Sequence, residues 1–154
     1  MGDAYFYHLT QSQLDTTLVA LLDRALAQGW RIAIRGRERA QLEWLDERLW
    51  LWPEDRFLPH GRAGGAHDAR QPILLTEQKE AVNAPHCVMA IDGVEISTDE
   101  LQNLERLCVL FDGNDEEATQ RARDQWQTLT QNGVRAKYWS EASGKWEMKA
   151  QSGT

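Results

Sequence analysis

Short apolar runs alternate with amphipathic helical segments along the first third of this chain, and this alternation restricts the fold to a sheet covered by helices. Residues 5–9 have the aromatic content of a strand. Leucines at helical spacing between residues 14 and 25 predict a helix that stops at Gly29. Residues 31–35 predict a second strand and residues 37–49 a second helix. A β-α-β-α order of this kind is typical of a parallel sheet.

The rest of the chain continues the pattern after one long interruption. Segment 50–71 contains prolines and glycines without periodicity, so it predicts a long loop, which is usually functional in a compact domain. The further predicted elements are strands at 73–76, 86–91, 106–111 and 134–139, a short edge at 145–148, a helical turn opened by a Ser97–Glu100 capping box, and a helix from Asn114 to Gly133. We therefore predict one Rossmann-like α/β domain over residues 1–148, with a mostly parallel five- to six-stranded sheet flanked by helices. A frayed polar tail is predicted at 149–154.

The charge balance limits the partners of the chain. There are 17 Lys and Arg residues against 24 Asp and Glu residues, a net charge of −7, which argues against strong direct DNA binding. No apolar run approaches the ~18 to 20 residues that span a bilayer, and the N-terminus lacks the pattern of a secretory signal. We expect a cytoplasmic protein without a membrane partner that would reach DNA through another protein.

Few residues suggest catalysis or metal binding. Cys87 and Cys108 lie in apolar runs and are predicted to be buried structural thiols. His60, His67 and Asp68 are close in sequence, but their spacing fits no helix face and no further ligand is indicated, so we predict no metal site. No glycine-rich phosphate loop opens a helix, and we predict no cofactor.

One alternative remains open from the layout alone. A Rossmann-like sheet could belong to a nucleotide- or metal-dependent enzyme that uses the His60–Asp68 loop, or Asp92 near a strand end. No catalytic residue is identified by a local motif.

Aromatic and basic residues instead suggest a docking surface. The chain has seven tryptophans, a residue type that is enriched at interfaces. Trp50, Trp52 and Phe57 belong to the long loop and the helix end before it. On the third helix, Arg123 and Trp126 lie on one face, although Trp126 also fits an apolar stripe of core positions.

A more specific signal lies at the end of the second helix. Leu45-Asp46-Glu47-Arg48-Leu49-Trp50 is followed seven residues later by Phe57-Leu58-Pro59-His60. This pattern resembles the chi subunit of the bacterial DNA polymerase III clamp-loader assembly. The resemblance implies a non-enzymatic accessory subunit with a Rossmann-like fold and no nucleotide. It also implies binding to the acidic C-terminal tail of single-stranded-DNA-binding protein, and to a second small subunit, psi, that leads to the clamp loader.

The resemblance also implies a set of site residues. Its tail pocket would use Trp50, Phe57, Arg123 and Trp126, with Trp52 at the periphery. Thr119 and Gln127 stand where the family often has lysine, so the charge complementarity is weaker, and Arg121 or Lys137 are candidates to compensate. Pro59 and His60 are expected to order the loop. A role of this kind places the protein in the cytoplasm, associated with the nucleoid through the replisome.

Overall fold

The computed structural model describes residues 1–51 and 59–153, and in that part of the chain one sheet of eight strands is flanked by helices. The strands are β1 (Asp3–Leu9), β2 (Ile32–Arg35), β3 (His60–Arg62), β4 (Ile73–Thr76), β5 (Cys87–Ala90), β6 (Arg106–Asp112), β7 (Ala136–Ser140) and β8 (Glu147–Ser152). The helices are α1 (Leu14–Ala27), α2 (Arg39–Leu51) and α3 (Glu116–Gln131), with 3₁₀ turns at Asp68–Arg70 and Thr98–Asn103.

The sheet is parallel except at one edge. Its strand order is β3-β4-β2-β5-β6-β1-β7-β8, and only the β7–β8 pair is antiparallel among these neighbours. The parallel pairs require crossover connections, which α1, α2 and α3 supply. The α/β class and the mostly parallel sheet are confirmed.

The two faces of the sheet carry separate cores because side chains alternate along each strand. Helices α1 and α2 cover one face, where Leu18 and Leu45 pack with Ile32 and Ile34 of β2. Helix α3 covers the other face, and its Leu129 belongs to the core that includes Ala33 of β2. Residues of α2 and residues of α3 therefore lie on opposite sides of the sheet.

Two elements differ from the prediction and enlarge the sheet beyond five or six strands. β3 lies inside the segment that was predicted to be a loop, and it was missed because His60-Gly61-Arg62 has no strand-like composition. β8 begins within the short edge that was predicted at 145–148 and continues through residue 152, into the segment that was predicted to be a frayed tail. Its side chains are mostly exposed, so it is held by backbone pairing with β7 rather than by apolar burial.

A buried ion pair anchors the 3₁₀ turn to the sheet. Arg35, only 6% exposed, donates from Nη1 and Nη2 to the Glu100 carboxylate and from Nη2 to the Glu95 carbonyl oxygen at 2.7 Å. The predicted capping box is confirmed, since the Ser97 N–H donates to Glu100 Oε2 at 2.9 Å. Burial acts to raise the pKa of Glu100, but the hydrogen bonds from Arg35 and Ser97 outweigh it and hold that pKa below its ordinary value.

The two cysteines are buried on the face that α1 covers. A hydrogen bond with the Cys108 thiol, together with burial, raises the pKa of Cys87, so this thiol stays neutral at physiological pH. The prediction of buried thiols is confirmed.

Among the described helices, none has the length and apolar character needed to cross a bilayer.

Candidate functional site

An aromatic cluster fills the space between α3 and the sheet. Trp126 of α3 meets Phe6 of β1 edge-on at 5.4 Å between ring centroids, and Tyr138 of β7 at 5.9 Å. Phe111 of β6 lies 6.0 Å from Tyr138. Phe6 is fully buried, whereas Trp126 and Tyr138 are partly exposed. Trp126 therefore lies at the border between the core and the surface, which combines the two roles that the sequence left open.

Two polar features lie at the edge of the aromatic cluster: a contact between His8 and Tyr138, and the charge of Arg123. His8 Nδ1 lies 2.6 Å from the Tyr138 hydroxyl, and the His8 ring also packs against Phe111. Burial raises the pKa of Tyr138 above its ordinary value, and the nearby positive charge of Arg123 partly offsets that effect. Arg123 is exposed, and no carboxylate of the described residues lies within ion-pair distance of it. A cation therefore lies near the partly exposed rings of Trp126 and Tyr138.

Local sequence signals place α3 over the cluster. The Asp115 side chain accepts hydrogen bonds from the N–H groups of Glu117 at 2.9 Å and Ala118 at 3.3 Å, which caps the helix start. The helix ends before Gly133, whose φ of +86° is the left-handed conformation that glycine tolerates. Gly113 lies between β6 and the start of α3. A Cβ there would lie 1.8 Å from Cδ2 of His8, so only glycine lets the His8 ring reach Tyr138.

The other residues considered on α3 and β7 contribute less charge than a lysine-rich surface would. Thr119 is buried, with its hydroxyl unpartnered among the described residues, and Gln127 is exposed. Arg121 projects from the other side of α3 and lies 3.8 Å from Glu117. Lys137 alternates with Tyr138 along β7, so it lies on the opposite face, 5.6 Å from the Tyr5 ring. Neither cation stands beside Arg123.

Trp50 lies in a different setting at the end of α2. Its side chain is 51% exposed, and its ring centroid is 4.3 Å from that of His60 in β3. His60 is buried, with Nε2 at 3.1 Å from both the backbone carbonyl oxygen and Oδ1 of Asp46. Pro59 directly precedes β3 and is half-buried. Trp52 and Phe57 lie outside the described residues.

The structure brings Arg123 and Trp126 together but does not bring Trp50 to them. Trp50 is on α2, on the face opposite α3, and contacts β3 at one edge of the sheet. Trp126 contacts β1 and β7, and β1 is five strand intervals from β3. At a strand spacing of ~4.8 Å, this separation is about 24 Å along the sheet alone. The residues that the resemblance grouped therefore form two surfaces.

The residues behind the alternative enzyme hypothesis have structural contacts. His60 is used as described above, and the Asp68 carboxylate accepts from the N–H groups of Gly64 at 2.8 Å and Gly65 at 2.9 Å. Asp92 lies 3.9 Å from Arg37. Within residues 1–51 and 59–153, no group of three or more His, Cys, Asp or Glu side chains is placed to hold a metal ion.

Several members of the aromatic cluster were missed from the sequence. Phe6, His8, Phe111 and Tyr138 were assigned only to strands, although the strand alternation contained a usable signal. β1 pairs in parallel with both β6 and β7, with Phe6 opposite Tyr138 and His8 opposite Phe111. That register follows only once the strand order is known.

Comparison with known proteins identifies a family for this chain. The family model for the DNA polymerase III chi subunit, HolC, matches residues 1–137. A probable DNA polymerase III subunit chi from Rickettsia prowazekii (strain Madrid E) is 23% identical over 91 residues. That alignment covers 59% of this chain and 55% of the relative. The family match covers most of the chain and includes α1, α2, α3 and the cluster strands β1 and β6, although it ends one residue before Tyr138 of β7. The chain therefore belongs to the DNA polymerase III chi subunit family.

Proposed function

We propose that this protein is a non-catalytic accessory subunit of the replicative polymerase that docks the acidic C-terminal tail of single-stranded-DNA-binding protein. The docking surface is formed by Arg123 and Trp126 of α3 and by Tyr138 of β7, and is called the α3 surface below. It would tie the clamp-loader assembly to coated DNA through a protein contact. A net charge of −7 suits that indirect route better than direct phosphate binding.

One observation carries the proposal: Arg123 is exposed beside a half-buried aromatic border and has no acidic partner among the described residues. A guanidinium group forms paired hydrogen bonds with a carboxylate, and the edges of Trp126 and Tyr138 offer apolar contact to a ring. These are the two chemistries that a tail of acids ending in Phe presents.

Magnitudes suggest modest affinity. Burying a Phe side chain supplies about 1.5 to 3 kcal/mol, and a charge-assisted hydrogen bond to Arg123 supplies about as much. Ordering a flexible tail opposes both, so a Kd in the micromolar range is expected, and it should weaken with salt because Arg123 is exposed. Thr119 and Gln127 add no charge to this surface.

The α2 end is proposed as a second, separate interface. Trp50 exposes half of its side chain there, and an exposed tryptophan is a common anchor for a protein partner. A psi-like subunit that leads to the clamp loader is the partner we propose for it, and Trp52 and Phe57 are close enough in sequence to take part.

The test of tail docking is a fluorescence titration with a peptide that copies the last ten or so residues of the cognate tail, beside a peptide that lacks the final Phe. We expect binding to need the Phe and to weaken about tenfold in Arg123→Ala, which corresponds to ~1.4 kcal/mol. Arg121→Ala is the matched control on the other side of the same helix and should bind normally. Equal binding by both peptides, or equal loss in both variants, would contradict the proposal.

A further inference from the structure

A second concave site lies on the face of the sheet opposite the α3 surface. It is a pocket of about 470 Å³ between α1 and strands β1, β6 and β7, a volume that suits a small organic molecule. We call it the α1–β1 pocket. Its principal walls are Tyr5, Tyr7, Trp30, Arg106, Trp139 and Trp146. Neither the α3 surface nor Trp50 contributes to it.

Aromatic rings hold a cation in this pocket. The Arg106 guanidinium carbon lies 4.1 Å from the Tyr5 ring centroid and 5.2 Å from that of Trp30. The Tyr7 ring meets Trp146 edge-on at 5.8 Å. Such stacking fixes the guanidinium group in place before any ligand arrives, which reduces the ordering cost of binding.

Two hydrogen-bond donors in the pocket wall have no acceptor in the described part of the chain. Arg106 Nε and Trp139 Nε1 are buried and have no hydrogen-bond partner among the residues that the structure describes. Burial raises the pKa of Tyr7, so its phenol remains a neutral donor. Buried N–H groups without a partner are costly, and a ligand oxygen placed against them would satisfy them.

The charge of the pocket is opposite to that of the whole chain. Arg24 and Arg106 line it, and no Asp or Glu does so among the described residues. Neither arginine has an ion-pair partner in that part of the chain. In a protein with seven more acids than bases, such a pocket would select an anion over a neutral molecule.

We propose that the α1–β1 pocket binds a small carboxylate whose apolar part is an aromatic ring. The ring packs against Tyr7 and Trp146, beside the guanidinium group that Tyr5 and Trp30 hold, and the carboxylate accepts hydrogen bonds from Arg106 and the Trp139 indole. The site is independent of tail docking because the two occupy opposite faces of the sheet. A ligand here would contact the side of β1 that faces away from Phe6.

The test uses 1-naphthoate as the probe and 1-naphthamide as its neutral counterpart, with binding followed through the tryptophan indole N–H resonances. We expect naphthoate to shift the Trp139 and Trp146 resonances and to bind at least tenfold more tightly than the amide. Arg106→Gln should remove that preference, and Arg121→Gln, on the other face, should retain it. If Arg106→Gln fails to fold, as judged by thermal melting, Arg24→Gln at the exposed pocket rim should weaken naphthoate at least twofold.

Two results would overturn the proposal. Equal affinity for naphthoate and naphthamide would mean that the pocket binds apolar molecules without selecting for a negative charge. Shifts confined to Trp126, or no shifts up to about 10 mM probe, would mean that the carboxylate binds elsewhere or not at all. Because the readout is residue-specific and uses no tail peptide, its failure leaves the α3 surface untouched.

Discussion

Trp50 and Trp126 are the same residue type in two contrasting settings. Trp126 packs against Phe6 of β1 and Tyr138 of β7, with its ring at the border between the core and the surface. Trp50 projects from the end of α2 at the sheet edge, with half of its side chain exposed. The comparison shows that residues which occur together in a sequence pattern can belong to different surfaces. Trp126 belongs to a surface next to the core, and Trp50 to a surface at the edge of the sheet.

The largest expected effect comes from removing the floor of the aromatic cluster. Phe6→Ala should lower the free energy of unfolding by about 3 to 5 kcal/mol, because a fully buried ring leaves a cavity. Urea denaturation gives the value. A loss below about 1 kcal/mol would mean that the cluster is loosely packed, and the contrast with Trp50 would fail.

The buried Arg35–Glu100 ion pair, on the α3 side of the sheet, should contribute more to the free energy of unfolding than the exposed ion pairs near β3. Glu100→Gln leaves the Arg35 guanidinium without its charge partner and should cost about 3 kcal/mol. Glu43→Gln is the control at the α2 side, where Arg62 and Glu43 are 42% and 51% exposed, and it should cost less than about 1 kcal/mol. Equal losses of unfolding free energy in the two variants would contradict the prediction that burial makes the Arg35–Glu100 pair more important.

The same pair predicts a pH dependence. The folded pKa of Glu100 is lowered, so the pair contributes stability above the ordinary carboxyl pKa, and that contribution is lost as the pH falls through the lowered folded value. The stability gap between wild type and Glu100→Gln should therefore be full at pH 7 and shrink in acid. A gap that is unchanged down to about pH 2 would show that the loss in the variant is not electrostatic.

A smaller effect is expected at the cluster rim. Tyr138→Phe removes the hydroxyl that lies 2.6 Å from His8 Nδ1 and should cost about 1 kcal/mol. Thermal unfolding of the variant gives the difference. If the stability is unchanged, the contact with His8 adds nothing to the folded state, and the cluster is held by its rings alone.

The smallest stability effect is expected at Trp50. Trp50→Ala should change the free energy of unfolding by about 1 kcal/mol or less because half of its side chain is already exposed. Its cost should appear instead in binding of a psi-like partner, measured by calorimetry. A loss of stability as large as that of Phe6→Ala would place Trp50 in the core and remove the contrast.

Sequence reasoning succeeded where burial leaves a periodic pattern. The strands β1, β2, β4, β5 and β6 and all three helices have the apolar spacing that burial demands, and they were predicted. β3 was not predicted, and β8 was predicted only in part, as a short edge at 145–148, because a three-residue strand with Gly61 and an exposed edge strand depend on backbone pairing, which imposes little composition.

The candidate site shows a second limit of prediction from the sequence. The pattern identified Arg123 and Trp126, which are neighbours on one helix, and the structure places them together. It also attached Trp50 to them, since a sequence pattern does not say which face of the sheet a crossover covers. That choice is made by connectivity: α2 crosses between β2 and β3 on one face, and α3 crosses between β6 and β7 on the other.

We propose that tail docking takes place on the α3 surface and not at the α2 end. Its most direct test is the Kd of the tail peptide measured side by side for wild type, Arg123→Ala and Trp50→Ala at one salt concentration. We expect a loss of about tenfold in Arg123→Ala and a change below about twofold in Trp50→Ala. The reverse order, with binding lost in Trp50→Ala and kept in Arg123→Ala, would contradict it and place the tail at the α2 end.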